Sequence, residues 1–158
     1  MKNEENLQGL NGWLIMVGLG IVISPLKIIS FYLIDYLKIF SDGTWFALTT
    51  PGAESYHHLW APLILGEMAV NGGLVLGWGC IAFLFFSKKK IFPKCYIGIL
   101  LFTLVFILAD ALVVKVIRPD RPFFDVETMQ TFAHALLAVL IWVPYMLISV
   151  RVKATFVK

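Results

Sequence analysis

Four long apolar stretches, separated by shorter polar segments, make up most of this chain. They cover residues 10–36, 59–86, 96–117 and 132–150. A helix needs about 20 apolar residues to cross the hydrocarbon core of a bilayer, and each stretch is close to or above that length. Helices also satisfy their backbone hydrogen bonds without water. The pattern therefore predicts an all-α bundle of four transmembrane helices, in a single polytopic membrane domain over residues 1–158.

The first stretch contains a proline and changes character after it. Pro25 removes one backbone hydrogen bond, which predicts a kink in the first helix at that residue. Residues 28–40 mix apolar side chains with Tyr32, Asp35 and Tyr36. Such a composition fits a segment that leaves the hydrocarbon core, so an interfacial helix is expected in the first outer loop.

Composition and charge support a membrane location. The chain is 59% hydrophobic and only 15% charged, with a mean hydropathy of +0.85. Soluble domains carry about 25% charged residues, so the composition disfavours a soluble fold. With four spans, both termini and the second loop share one side, which carries eight Lys and Arg residues against four on the other. The eight are Lys2, Lys88, Lys89, Lys90, Lys94, Arg151, Lys153 and Lys158; the four are Lys38, Lys115, Arg118 and Arg121.

Cytoplasmic loops carry the excess of Lys and Arg, so the count predicts both termini in the cytoplasm, an N-in/C-in topology. The expected location is the bacterial inner (cytoplasmic) membrane, as a multi-pass protein. The run Lys88, Lys89 and Lys90 is expected to contact anionic lipid headgroups. The net charge of +3 follows from this topology, so a nucleic-acid partner is not indicated.

The few ionisable side chains inside the spans are the candidate functional residues. At 1.5 Å per residue, Glu67 lies ~12 Å and Asp110 ~10 Å from the outer ends of their helices. Lys27 and His134 also fall in the outer half, and Asn71 shares a helix face with Glu67. Ionisable groups in lipid are costly and usually serve a function. We therefore predict a ligand- or proton-binding layer of Lys27, Glu67, Asn71, Asp110 and His134.

Two interpretations of this layer fit the sequence. In the first, it lines an outward-opening cavity where Lys27 and an acid hold an anionic or zwitterionic group, or where Glu67 and Asp110 exchange protons. The protein then binds a small ligand, a lipid or a partner helix without catalysis. In the second, Lys27 pairs with one acid and Asn71 bonds across the bundle. Such contacts, worth ~0.6–2 kcal/mol each, only set helix registry in a structural or accessory subunit.

Transport and catalysis are weaker alternatives. No internal repeat is visible, so a transporter would have to be oligomeric. The segment from Arg118 to His134 has a partial likeness to lipid phosphatases of the phosphatidic acid phosphatase type. Those enzymes use a second histidine as nucleophile, and no histidine follows His134. An enzyme acting on lipid headgroups is thus disfavoured, and no catalytic residue is predicted.

Cofactor and metal motifs are missing from the sequence. Cys80 and Cys95 have neither zinc nor CxxC spacing, and the adjacent His57 and His58 would point apart on a helix. No glycine-rich phosphate loop lies between a strand and a helix. We expect no cofactor and no metal. The expected partners are the lipid bilayer and either another membrane protein or a second copy of the chain.

Several sequence blocks are shared with a known family. They are GLNGW at residues 9–13, SKKKIFPK at 87–94, LADAL at 108–112, IWVPY at 141–145 and RVKATF at 151–156. In this order they resemble the bacterial inner-membrane proteins catalogued as domain of unknown function 2569 (DUF2569), over nearly the whole chain. The resemblance implies a four-helix inner-membrane protein. It implies no activity and no catalytic residues, so no residue role is carried over.

Overall fold

The computed structural model describes residues 9–157 of the chain. Within that range it contains helices and no strands. The helices are α1 (Trp13–Ser41), α2 (Thr44–Thr49), α3 (Trp60–Phe86), α4 (Phe92–Ile117), α5 (Val126–Ile148) and α6 (Val150–Thr155). By length and composition α1, α3, α4 and α5 can each cross a membrane, which confirms the predicted all-α fold with four transmembrane helices. Lys2 and Lys158, which entered the charge count, lie outside the described residues.

Two of the spanning helices begin earlier than the apolar pattern predicts. α4 begins at Phe92 because Pro93 occupies the first turn, where its missing N–H would have no partner in any case. α5 begins at Val126, since the Asp125 carboxylate accepts a 2.8 Å hydrogen bond from the backbone N–H of Thr128. This N-cap satisfies one of the donors that a helix start leaves free. The Asp125 cap thus extends α5, and Pro93 is compatible with the early start of α4.

The first helix runs without interruption through its proline. α1 is helical from Trp13 to Ser41 with Pro25 inside it, and the bend expected there stays a prediction. Residues 28–40 belong to α1 and do not form a separate interfacial helix. The helix that the first outer loop does contain is α2, six residues long, which begins after a left-handed Gly43 with φ of 83°. Its location at the membrane surface stays a prediction.

Successive spanning helices are antiparallel neighbours. α1 packs along α3, α3 along α4, and α4 along α5. The beginning of α1 meets the end of α3, where Gly18 lies against the ring of Phe85, and the end of α1 meets the beginning of α3. We call the end of the bundle that carries the α3–α4 turn with Lys88, Lys89 and Lys90 the basic end. The opposite end, with the connections 42–59 and 118–125, is the loop end.

The apolar core lies toward the basic end. There the ring of Phe92 stacks on Phe156, with centroids 4.4 Å apart, and packs against Phe85 at 5.2 Å. α6 lies under the bundle, and Phe156 follows directly after it. The Thr155 hydroxyl accepts a 3.3 Å hydrogen bond from the backbone N–H of Gly9 and donates one of 3.3 Å to the Gly9 carbonyl. The tail thus closes the basic end. No side chain of α1 beyond Ile21 is buried, so the helices enclose less apolar packing toward the loop end.

Candidate binding site at the carboxylate pair

Glu67 of α3 and Asp110 of α4 face each other across the seam between their helices. Each lies seven residues from the loop end of its helix, counted from Trp60 and Ile117, or about 10 Å along the axis. Both side chains line the same groove, and each lies within range of the other's charge. The ligand- or proton-binding layer to which the sequence analysis assigned both acids stays a prediction.

The carboxylate pair lines an open groove between α3 and α4. The groove has a volume of about 310 Å³, and the rest of its wall is apolar, with Pro62, Gly66 and Ala109 among its members. Small residues here leave room above the carboxylates. Because both helices can span a membrane, the acids lie on a surface that lipid or a lipid-soluble ligand can reach from the side.

One oxygen of the pair lacks a partner. The Oδ1 atom of Asp110 is buried and receives no hydrogen bond from any residue in the described range 9–157. An ionised carboxylate only accepts hydrogen bonds, so Glu67 and Asp110 cannot satisfy each other unless a proton is held between them. A buried acceptor without a donor is unfavourable by ~1–3 kcal/mol. The geometry therefore suits a proton or a hydrogen-bond donor with positive charge.

The acids of the spanning helices differ in exposure. Asp35 on α1 and Glu127 on α5 are exposed, whereas Glu67 and Asp110 are half-buried. Within the described residues, no Lys or Arg forms a salt bridge with the half-buried pair. In a low-dielectric region, two negative groups without a counter-charge favour a cation.

Asn71 has a different role in the structure. It is 4% exposed, and its Nδ2 atom donates a 3.0 Å hydrogen bond to the hydroxyl of Tyr36. This contact joins α3 to α1 one turn below Glu67. The side-chain donor is engaged by the protein, so Asn71 fits the interhelical bond that the registry interpretation expected of it.

Lys27 and His134 are not brought to the carboxylates. Both side chains are exposed, Lys27 on α1 and His134 on α5. Among the described residues, the salt bridge is that between Arg118 and Asp120 at 3.4 Å, so the expected pairing of Lys27 with an acid is wrong. At 100° per residue, Lys27 is about 140° around α1 from Tyr32. Tyr32 occupies the face of α1 turned toward the acids, which leaves Lys27 on the lipid-facing side.

Sequence reasoning missed the contributions of Tyr32, Tyr36 and Glu127. The two tyrosines are four residues apart, and their rings lie 5.9 Å from each other on one face of α1. That spacing was visible in the sequence, but their polarity suggested an interfacial segment. Glu127 lies in the first turn of α5, a turn that the sequence assigned to a loop.

The acids of the loop-end connections remain ionised at neutral pH. The Thr44 side chain and backbone N–H, both bonding Asp42, lower the pKa of that carboxyl. The Arg118 guanidinium lowers the pKa of Asp120, and the backbone N–H of Thr128 lowers the pKa of Asp125. The connections at the loop end thus carry the negative charges of these three acids together with the positive charges of Arg118 and Arg121.

Comparison with known proteins identifies a family and no relative of known activity. A family model described as "Protein of unknown function (DUF2569)" matches residues 7–157, nearly the whole chain. Searches of curated proteins and of solved structures each returned no match. The site described above therefore has to be interpreted on its own chemistry.

Proposed function

This chain belongs to the DUF2569 family, and we propose that it is a non-catalytic membrane protein that binds the cationic group of a small ligand or lipid between Glu67 and Asp110. The observation that carries the proposal is the buried, unpartnered Oδ1 atom of Asp110 beside a second carboxylate in an open groove. An ammonium group would donate hydrogen bonds to both acids and supply a positive charge between them.

The shape of the groove supports a small occupant. Its volume of about 310 Å³ lies at the lower end of the ~300–1,000 Å³ common for small-molecule sites. Mostly apolar walls with two convergent acids suit an amine on an apolar body, including the headgroup region of a lipid. A bound proton is the smallest occupant that would satisfy the same oxygen.

The proposal does not include catalysis. Phosphatase-type chemistry would need a nucleophile, and no histidine follows His134 in the sequence. His134 itself is exposed on α5 and, within the described residues, forms no salt bridge with the carboxylate pair. Binding without turnover is the simpler use of two acids in a groove.

We further propose that the loop end faces the outside of the bacterial inner membrane, with both termini in the cytoplasm. The support is the excess of Lys and Arg at the basic end, including Lys88, Lys89, Lys90 and Lys94. In this orientation the carboxylate pair lies in the outer leaflet and is reached from the outer side of the membrane.

Thermal unfolding of the purified protein in detergent micelles tests the binding proposal. The probes are sodium, ethanolamine, choline and spermidine chlorides, each titrated at constant ionic strength. A ligand at 100 times its Kd stabilises the folded state by ~2.7 kcal/mol, or about 5–10 °C in Tm for a chain of this size. We expect at least one amine to raise Tm in this way.

Three variants locate the response. Glu67→Gln and Asp110→Asn should fold and lose the amine-dependent rise in Tm, whereas the control Asp35→Asn, which removes an exposed acid of α1, should keep it. A wild type that responds to no amine, or pair variants that respond like the wild type, would contradict the proposal. Loss of the response in all three variants would mean that the amines act through a general attraction to the negative charges of the protein, and this would also contradict binding at the pair.

A structural role is the second candidate, and one observation favours it. The hydrogen bond from Asn71 to Tyr36 fixes α3 against α1 in the same half of the bundle. If the acids also served registry, removing either would destabilise the protein without ligand. The same unfolding measurements at zero ligand therefore separate this role from binding.

A further inference from the structure

A second and larger groove follows the same helix seam toward the basic end. It lies between α3 and α4, has a volume of about 570 Å³, and shares Val70 with the groove of the carboxylate pair. Its wall is apolar, and three glycines, Gly73, Gly77 and Gly98, keep it deep. A Cβ atom on Gly73 or Gly98 would meet no other atom within 4 Å, so the space above them is free.

The dimensions of this groove suit a hydrocarbon chain of one leaflet. On α3 its lining runs from Val70 to Leu84, or ~21 Å, and on α4 from Cys95 to Phe102, or ~10 Å. Half of a bilayer's hydrocarbon core is ~15 Å thick. The groove therefore reaches from the basic end to about the middle of the membrane.

The groove opens onto positive charge at the basic end. Leu84 lies four residues before Lys88, and Cys95 directly follows Lys94, so the α3–α4 turn with its lysines borders the opening. None of these lysines forms a salt bridge in the described range, and the sequence between Glu67 and Asp110 contains no acidic residue. Within residues 9–157, no carboxylate thus pairs with the lysines at the mouth of the groove.

We propose that this groove binds an anionic phospholipid of the inner leaflet, with one acyl chain between α3 and α4 and the phosphate at Lys88, Lys89, Lys90 and Lys94. Basic residues near a membrane surface each favour anionic lipid by about fivefold in affinity. The groove adds a fixed position for the chain that a basic patch alone does not provide. The site is separate from the Glu67–Asp110 pair and does not depend on its function.

A second copy of the protein is the other occupant that a glycine-lined groove suggests. A parallel, symmetric pair meeting at this groove would bring the lysines of one turn against those of the other. Repulsion between two clusters of lysines opposes such a dimer, whereas a lipid phosphate is attracted by each of them. Charge complementarity thus favours the lipid.

Native mass spectrometry on the full chain, released from nanodiscs with equal mole fractions of phosphatidylglycerol and phosphatidylcholine, tests the proposal. We expect the wild type to retain phosphatidylglycerol preferentially. Gly73→Leu should fill the groove and lower retention at least about tenfold without a change in charge. Gly79→Leu is the matched control, because Gly79 is exposed on the same helix, about 120° away from Gly73, and does not line the groove.

A charge variant completes the design. Replacing Lys88, Lys89 and Lys90 together by Gln should abolish the preference for phosphatidylglycerol while the groove stays intact. If Gly73→Leu does not fold, Gly98→Leu fills the same groove from α4. The proposal is overturned if the wild type shows no lipid preference, if the groove variants retain lipid like the wild type, or if Gly79→Leu loses as much. Loss of a dimer in the groove variants, with lipid retention unchanged, would overturn it in favour of a second copy.

Discussion

Replacing Asp110 by Asn should leave the ligand-free protein as stable as the wild type or more stable. In a protein where acids serve only packing, removing a charged side chain from a helix interface destabilises the fold. Here the Oδ1 atom of Asp110 is buried without a partner, and its neighbour is another carboxylate. The substitution keeps the shape of the side chain and supplies an N–H donor. Asp110→Asn therefore relieves an unfavourable contact.

The magnitude follows from the contact that the new amide forms. A hydrogen bond from an uncharged donor to an ionised carboxylate contributes ~1.5–3 kcal/mol, and an unpartnered buried acceptor costs ~1–3 kcal/mol. A proton shared by the two acids would already provide part of this stabilisation in the wild type. We therefore expect Asp110→Asn to raise the free energy of unfolding by about 1–3 kcal/mol. For a chain of about this length that corresponds to roughly 2–10 °C in Tm.

Tryptophan fluorescence during heating in detergent micelles measures this effect at neutral pH without added amine. Glu67→Gln should give a similar rise. The double variant should gain no more than about one single variant, because both changes relieve the same contact. Asp35→Asn, at an exposed acid of α1, should change Tm little. A fall of more than about 1 kcal/mol in Asp110→Asn, restored in the double variant, would refute the reasoning and make the pair a structural element.

Four further changes test the packing and the helix ends by the same thermal assay. Tyr36→Phe removes the acceptor of the buried Asn71 amide and should cost about 1 kcal/mol, with Tyr36→Trp giving no rescue. Lys88→Gly should stabilise by about 1 kcal/mol, since Lys88 has a φ of 53° at the C-terminus of α3 and glycine adopts that conformation without strain; destabilisation would contradict this. Asp125→Ala should cost about 1 kcal/mol at neutral pH through loss of the α5 cap. Because the folded pKa of Asp125 is lowered, its contribution is complete above the ordinary value of ~3.9 and is lost as the pH falls through the folded pKa, so wild type and variant should converge in acid. Phe156→Ala should cost about 3 kcal/mol or more, since its ring is 4% exposed in the core of the basic end, whereas the exposed control Val157→Ala should be neutral.

The four spanning helices were predictable because apolar length alone determines them in a membrane protein. Their ends were less predictable, since local polar contacts set them. Asp125 starts α5 six residues before the apolar stretch, and Pro93 permits an early start of α4. The C-terminal tail was also missed, because Phe156 among basic residues gives no periodic signal, yet its ring completes the core at the basic end.

The depth of the candidate residues along their helices could be predicted from the sequence. The side of the helix on which each residue lies could be predicted only in part. Distance along a helix follows from residue number, so the similar depth of Glu67 and Asp110 could be derived from the sequence, and their role in one binding layer stays a prediction. Rotation about the helix axis depends on which face packs inward, and α1 has too many apolar residues around its circumference to indicate that face. Lys27 therefore looked equivalent to the two acids, although it points to the side opposite the tyrosines.

The two halves of the bundle differ in how their interiors are packed. Toward the basic end, Phe85, Phe92 and Phe156 form a closed aromatic core that α6 seals against the start of α1. Toward the loop end, α1 contributes no buried side chain beyond Ile21, and Glu67 and Asp110 are half-buried between α3 and α4. An unpartnered carboxylate is tolerable only where the remaining packing supplies the stability. Concentrating the apolar core at one end thus leaves the other end free to hold the two acids that we propose as a ligand site.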